Sequence, residues 1–528
     1  MAAAGQSGRG RGAGRPHPDD RDVKIPRLWG HWSIAEARVS IPLLAAISSP
    51  RPPSVRDDAI VDAFLRSVRN RPADAVVVSP VAQCSFVDLA TLATSVAARV
   101  AAVVPESGRL VALAAANGPA FLAGFLAVRL AGHAVLLLDA HAPWESRRRS
   151  AAQLGAVAML ECQAAWPGSA DDFAIARHDA EIAPAYLPDI AVVKLTSGSS
   201  GTPRGVATRT ASALADESAL ADTMGFRAGD RLLAAVPFSH SYGFTTLALS
   251  ALVRGLTLIV PHGTTPFDPL DAAMRCGATI VPTVPAYVRA LLAMNEPPPW
   301  ADTVRLVVSA GATLPPAVAS QFRRTYGQAI HTFYGSSECG GICYDRTGEA
   351  AERGTVGTPV RDVRLSFAPL AGEPDTTGLV IVQSPAVSDG YLPTPDARLM
   401  AGRFETADLG ALRDGELVLL GRANRAINVR GLKVDPVEVE QVVRELDGVD
   451  DVVVTGIGSP GAQEFVCAVV AAPAGRVSYE AVSAWCRTKL ADHKVPRSIL
   501  IVERIVYSAR GKVDPEWLAE IRDAHRSR

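Results

Sequence analysis

The sequence lacks a membrane span, an excess of one charge and a patterned set of cysteines, and each absence narrows what the chain can be. Residues 110–138 are the most apolar stretch of the 528. Asn117, Gly118, Pro119 and Arg129 break that stretch up, and no clean run reaches the ~20 residues that a span needs. It reads instead as a strand over 110–115, a helix over 120–130 and a strand over 134–138, with no stable membrane span. Lysine and arginine number 53 against 54 aspartates and glutamates, a net charge of −1. Neither a nucleic-acid footprint nor an acidic tail is therefore expected. The seven cysteines (84, 162, 276, 339, 343, 467 and 486) share no repeated spacing. Cys339 and Cys343 are four apart, but no second Cys/His pair follows at a zinc-binding interval. Free thiols in a reducing cytoplasm are the expectation. The first two dozen residues have almost no large apolar side chains and no continuous apolar core of a secretory leader. Such a segment cannot offset its ordering entropy by burial, so residues 1–50 are expected to be a disordered or poorly ordered extension.

What the sequence does have is length and alternation. A chain of this size is expected to hold more than one domain. Short apolar strands alternate with helix-like stretches: 75–78 before a helix over 86–103, then 232–236, 256–260, 279–281 before a helix over 287–293, and 304–309. That rhythm argues for α/β layers with largely parallel sheets. After Gly354 the texture changes to short strands between Gly/Asp turns, as at 378–383 and 415–420, which predicts a β-rich subdomain. The boundary falls at 421–425. Beyond it a hairpin-like pair (426–429 and 432–434) comes first, then a helix over 437–445 and strands over 452–456 and 465–470. A helix over 479–489 and a strand over 498–502 complete a compact α+β unit the size of one small domain.

The chemistry concentrates in residues 196–205. Thr196-Ser197 and Ser199-Ser200 flank Gly198, and Gly201, Pro203, Arg204 and Gly205 follow. Apolar residues 191–193 and Leu195 precede them, so the loop leaves a strand. Glycines free consecutive N–H groups to face one way, and hydroxyls add short donors; such a nest suits a polyphosphate. A cation at Arg204 adds charge-assisted bonds. No Gly-Lys-Ser/Thr follows at the spacing of the common phosphate loop. On these residues alone, a flexible Ser/Gly loop fits equally well.

Downstream motifs separate those readings. In order they are Tyr334-Gly335-Ser336-Ser337-Glu338, Thr406-Ala407-Asp408-Leu409-Gly410, Gly421-Arg422, Asn428-Val429-Arg430-Gly431-Leu432-Lys433-Val434 and Gly511-Lys512-Val513. With the 196–205 loop, this series resembles the AMP-forming acyl/aryl-CoA ligase superfamily, and the likeness covers nearly the whole chain after its first fifty or so residues. The resemblance implies an α/β architecture in two parts. A large N-terminal AMP-binding domain (51–421) has layered α/β sheets and a β-rich subdomain; a hinge (422–425) leads to a small mobile α+β domain (426–528). The active site lies in the cleft between them. The implied reaction has two halves: a carboxylate attacks the α-phosphorus of ATP to give an acyl-adenylate and pyrophosphate, and a thiol then displaces AMP.

The resemblance also implies roles for particular residues. Thr196, Ser197, Gly198, Ser199, Ser200, Gly201 and Arg204 cradle the β- and γ-phosphates, with Ser337 near the α-phosphate. Glu338 helps hold Mg²⁺, and a carboxylate beside ATP makes sense only with a cation between the charges. Tyr334 stacks on adenine, while Gly311 and Ala312, in the small-residue turn after Ser309, lie along the purine. Asp408 accepts the ribose hydroxyls. Lys512, His240 and Arg422 are the expected catalytic residues. Lys512 reaches the carboxylate and the ATP oxygens together and neutralises charge between two anions. His240 lies over the acyl pocket or gates it, and Arg422 sits near the ribose and the hinge. Asn424 marks the hinge, and Gly431 lets a pantetheine chain pass close to the backbone in the second half. The chain departs from the usual pattern at Arg204 (commonly Lys), Ala407 (commonly Gly), Asn424 (often Asp or Lys), Asp514 (commonly basic) and residues 506–510, which lack the usual prolines. Arginine keeps the charge at 204 but changes its geometry.

Phe238 is followed by Ser239, where amino-acid-activating relatives carry an Asp that pairs with the substrate ammonium. A fatty or aryl acid is therefore expected, not an α-amino acid. The sixteen residues after Lys512 are too few for a fused carrier domain, so the acceptor thiol is expected on CoA, with a separate acyl carrier protein as the alternative. ATP, Mg²⁺ and CoA are the expected cofactors and co-substrates. A catalytically silent nucleotide-binding protein is the other reading. Arg204, Ala407 and the altered approach to Lys512 speak for it; Glu338, Asp408, Arg422 and Lys512 speak against it.

Overall fold

A computed structural model describes residues 58–526 apart from 179–185, 198–202, 264, 370–373, 375, 423–426, 430–431, 435, 458–464, 491 and 508–512. The extension expected over residues 1–50 lies outside them. The chain divides into two compact units, Met1–Arg38 and Val39–Arg528, and all described residues belong to the second.

Helix Phe86–Val103 starts where the sequence supplies a capping box: the Ser85 hydroxyl accepts from the Asp88 amide, and the Asp88 carboxylate accepts from the Ser85 amide. It is long and apolar enough to cross a membrane by composition, but Phe86, Leu89, Ala93, Val96 and Val100 are buried in protein. It packs against helix Pro119–Leu130, which is apolar and buried nearly all round, as a central core helix must be. Arg129 sits inside that core. Asp58 meets its Nε at 2.8 Å, and the carbonyls of His133 and Ile190 both accept from its Nη1. Asp58 also caps helix Ala59–Asn70 by accepting from the Ile60 and Val61 amides. One carboxylate thus serves both a buried cation and a helix terminus.

Two sheets share this core. In the nine-stranded sheet, Ala75–Val78, Thr257–Ile259, Arg231–Leu233, Ile280–Thr283, Leu306–Ser309 and His331–Ser336 run parallel, with antiparallel strands at both edges. In the seven-stranded sheet, Ala158–Cys162, Leu110–Ala115, Ala134–Leu137 and Ile190–Ser197 run parallel. Pro203–Arg209 then returns antiparallel and carries Gly390–Leu392 on its far side. The β-rich part is a five-stranded antiparallel sheet built on Thr377–Gln383 and Arg403–Arg413. The mixed α/β class, the β-rich stretch after Gly354 and the small C-terminal unit follow the sequence expectation.

Two local features differ from it. The 196–205 loop is shorter than expected, because Thr196 and Ser197 end one strand while Pro203–Arg209 begins the next, registered Thr196 to Arg204 and Ser197 to Pro203. Pro203 takes the strand's first position, where a missing amide costs least. After His240, the short helix Ser241–Gly243 widens into a π-helical stretch, Phe244–Leu249, a form frequent at functional sites. Gly243 is required there: a Cβ would lie 2.1 Å from the Pro237 carbonyl oxygen.

The C-terminal unit has its own core. Helices Pro436–Arg444 and Tyr479–Lys489 turn Val439, Val443, Val482 and Cys486 toward Val452, Val454, Ala468 and Ile499 of the three-stranded sheet. Trp517 and Leu518 of the last helix, Pro515–Arg526, cover Ile457 and Val469 of the same sheet.

Candidate active site

The expected site segments leave the carboxyl ends of parallel strands, where α/β sheets bind ligands. Ser197 ends Ile190–Ser197, Gly311 follows Leu306–Ser309, and Glu338 follows His331–Ser336. The last of these is the hub. Tyr334 donates its hydroxyl to Asp408 Oδ2 at 2.6 Å. Asp408 is buried, donates its amide to Thr406 Oγ1, and pairs in register with Arg422. One hydroxyl therefore joins the nine-stranded sheet to the β-rich part.

Glu338 is held from the other side. Its Oε1 accepts from the Tyr391 hydroxyl at 2.9 Å, and its backbone carbonyl accepts from the Ser388 amide. Tyr391 lies opposite Val206 on the strand that flanks Pro203–Arg209. The Arg204 guanidinium stacks over the Tyr391 ring, 3.7 Å from its centroid, and pairs with Asp396 at 3.1 Å. Burial, and after it the Glu338 charge, push the Tyr391 phenol well up, so it stays protonated as a donor. The Arg398 side chain holds the Asp396 carboxyl well below the usual range, so it stays charged against Arg204. The series Asp396, Arg204, Tyr391, Glu338 thus connects one leg of the 196–205 hairpin to the acidic turn.

Thr196 closes the hairpin legs by donating to the Arg204 carbonyl at 3.4 Å. Gly198, Ser199, Ser200 and Gly201 lie outside the described residues, as do Asn424, Gly431, Lys512 and the side chains of Ser197 and Arg422. Both ends of the Lys512 loop are described: Tyr507 bridges Val513, and the Asp514 amide donates to the Val506 carbonyl. The Tyr507 hydroxyl donates to Asp451, which Arg289 of helix Pro285–Leu292 meets at 3.5 Å.

Gly311 and Ala312 are exposed, and Ser337 is half-buried beside Glu338. His240, half-buried, opens the Ser241–Gly243 helix. Its segment is clamped by Asn117, which accepts from the Phe238 amide and donates to the Val236 carbonyl, both at 2.9 Å. Tyr242 rests on Phe333 and donates to the Val308 carbonyl at 3.1 Å. His240 is thereby brought beside the strands that carry Ser309 and Tyr334. Tyr391, Asp396 and Asn117 have no motif spacing that would mark them. Lys194, a charge inside an apolar strand next to the loop, is the one signal the sequence offered that the motif reading passed over.

Among the described residues no cluster of three or more metal-ligating side chains occurs. Glu338 is a single carboxylate fixed at one oxygen, a donor set that suits Mg²⁺ shared with phosphate oxygens and water.

The family model for AMP-binding enzymes matches residues 64–392, and the model for the AMP-binding enzyme C-terminal domain matches residues 438–512. The 3-[(3aS,4S,7aS)-7a-methyl-1,5-dioxo-octahydro-1H-inden-4-yl]propanoyl:CoA ligase of Mycobacterium tuberculosis is 31% identical over 66% of this chain and 69% of its own length. A feruloyl-CoA synthase from an Amycolatopsis species is 30% identical over 62% of this chain and 69% of its own length. Among solved structures, ATP-bound MatB from Rhodopseudomonas palustris matches with a TM-score of 0.74 at 22% identity, covering 87% of this chain and 98% of that one. The o-succinylbenzoate CoA synthetase of Bacillus subtilis with its acyl-adenylate matches with a TM-score of 0.73 at 21% identity, covering 86% and 97%. With both family models matched in order across a fold of this kind, the chain belongs to the AMP-binding enzymes and is an acid–thiol ligase of the AMP-forming acyl/aryl-CoA ligase superfamily.

Proposed function

We propose that this ligase activates a fatty or aryl carboxylic acid as its acyl-adenylate and passes the acyl group to CoA. The observation that carries the reading is the pair of carboxylates, Asp408 and Glu338, each held by a tyrosine hydroxyl around the Tyr334–Glu338 segment. A buried carboxylate at Asp408 suits two ribose hydroxyls, and a half-buried one at Glu338 suits a cation on a triphosphate.

In the first half-reaction a carboxylate oxygen bonds to the α-phosphorus while the bond to the bridging oxygen breaks and pyrophosphate leaves. Two anions meet, so donors and cations must already be in place. The hydroxyls and amides of residues 196–201 take the β- and γ-phosphates, and Ser337 the α-phosphate. Arg204, engaged by Asp396 and Tyr391, acts chiefly by fixing Glu338 through Tyr391. Bound Mg²⁺ would supply charge neutralisation along the phosphates, and Glu338 would hold it. Tyr334 and the Gly311–Ala312 turn take the adenine, Asp408 the ribose, with Arg422 beside it. Lys512 spans the acid and the nucleotide, and His240 borders the acyl site. In the second half the thiol sulfur bonds to the acyl carbon, AMP departs with the bonding pair, and the thiol proton passes to solvent. Asn424 serves as the hinge, and Gly431 gives passage to pantetheine.

The names of the two relatives support CoA as the acceptor and a bulky apolar acid as the substrate; Ser239 after Phe238 independently disfavours an α-amino acid. The test is pyrophosphate release from Mg·ATP across fatty, aryl and amino acids, with and without CoA. Release with fatty or aryl acids and a CoA-dependent thioester product is the expected result. Best turnover with amino acids would overturn the substrate class. Adenylate without CoA thioester would move the acceptor to a carrier protein. Bound ATP with no turnover on any acid would favour a silent nucleotide-binding protein.

A further inference from the structure

Helix Thr210–Thr223 packs against the π-helical stretch Phe244–Leu249 and turns two consecutive carboxylates toward it. Both are buried, Asp216 at 4% exposure and Glu217 at 2%. Asp216 Oδ2 accepts from the Thr245 hydroxyl at 2.9 Å. Glu217 Oε1 accepts from the Ser250 hydroxyl at 2.9 Å and from Arg254 Nε at 2.6 Å. These bonds bracket the stretch, since Thr245 is its second residue and Ser250 the first beyond it. The Ser250 proton is shared with the Thr245 carbonyl oxygen at 3.3 Å. That carbonyl is five residues back, which is the spacing of a π turn. Two hydroxyls on two carboxylates thus hold a rare backbone form in place.

The stretch in turn holds the His240 segment. The Phe244 amide donates to the His240 carbonyl at 2.7 Å, and the His240 amide donates to the Pro237 carbonyl at 3.3 Å. Tyr242 lies between them with its ring on Phe333. On its other side Asp216 faces the turn after Glu338: its Oδ1 accepts from the Gly341 amide at 2.9 Å. The turn closes on Asp216 because residue 340 is glycine, with φ +68; a Cβ there would lie 2.2 Å from the Asp216 carboxyl carbon. One carboxylate therefore sets the start of the π-helical stretch, and His240 and Tyr242 with it, against the turn that follows Glu338.

We propose that Thr245 and Ser250 are positioning residues for the carboxylic acid: bonded to Asp216 and Glu217, they hold the π-helical stretch and so fix His240 and Tyr242 at the border of the acyl site. The inference rests on the adenylate-forming reading above. Acid-dependent pyrophosphate release by the unaltered enzyme separates the two. Without it the ligase reading fails and the proposal falls with it; with it, the variants decide the proposal alone. The test is the double variant T245V/S250A. It removes both hydroxyls and no charge, and it leaves Asp216 the Gly341 amide and Glu217 the Arg254 guanidinium. The expected result is a folded enzyme with a roughly 10–100-fold lower kcat/KM for the acid, the loss that a small misplacement brings. The order of preference among acids of different length should change, while KM for Mg·ATP stays at its parental value because the Asp216 contact with the Glu338 turn is intact. Thr245→Ser keeps the hydroxyl on Asp216 and should retain parental kinetics. A merely structural role predicts a lower melting temperature with kcat/KM for the acid unchanged, and that outcome would overturn the proposal, as would an equal loss for acid and ATP. Should the double variant fail to fold, Thr245→Val alone leaves Glu217 with both Ser250 and Arg254. The same selective loss is expected of it, and parental kinetics would again overturn the proposal.

Discussion

Tyr391 and Glu338 divide the work at the acidic turn in a way that single substitutions can separate. Glu338→Gln removes the charge proposed to hold the cation, and adenylation should fall roughly 10²–10³-fold, the usual loss for one aimed electrostatic contact. Tyr391→Phe keeps the ring under Arg204 and loses only the hydroxyl that steadies Glu338. A hydrogen bond to a charged group contributes about 1.5–3 kcal/mol, so its effect should be smaller and should appear first as a raised Mg²⁺ requirement. Pyrophosphate release against Mg²⁺ concentration distinguishes the two variants. Tyr334 and Glu338 were legible in the sequence because they lie in one short motif. Tyr391 and Asp396 were not, because their chemistry is made by partners 53 and 192 positions away, Glu338 and Arg204.

At the scale of elements, the buried pair of Asp58 and Arg129 ties helix Ala59–Asn70 to the central helix Pro119–Leu130. Asp58→Asn retains a capping oxygen but leaves Arg129 without its counter-charge, which should cost about 3–5 kcal/mol. Asp58→Ala should cost about 1 kcal/mol more, the contribution of the lost cap. Denaturant unfolding checks both, and pyrophosphate release per folded molecule should not change. Helix Phe86–Val103 was readable to the residue because Ser85 and Asp88 write its start and a continuous apolar stripe its length. Pro203–Arg209 was not. Its Pro203, Arg204 and Gly205 look like loop, and only pairing with Ile190–Ser197 on one side and the distant Gly390–Leu392 on the other makes them strand.

At the scale of the molecule, the proposed reaction needs two parts of the chain in one place. Arg289, from the large part, meets Asp451 of the C-terminal unit, and Asp451 in turn accepts from Tyr507 at the base of the Lys512 loop. Lys512→Ala should abolish adenylate formation and spare transfer from supplied acyl-adenylate. Arg289→Ala should weaken the same half-reaction by less than about fivefold, since partly exposed ion pairs contribute ~0.2–1 kcal/mol. Rapid-quench assays of each half-reaction alone check both; loss of transfer in either variant would contradict the assignment. The two-part organisation was readable from motif order, whereas the Arg289 contact joins residues with no shared pattern. The most direct test of the whole account is exchange of labelled pyrophosphate into ATP, measured with Mg²⁺ and without CoA. Exchange that depends on a fatty or aryl acid is the result expected of an adenylate-forming ligase. ATP binding without exchange, whatever acid is supplied, would contradict it.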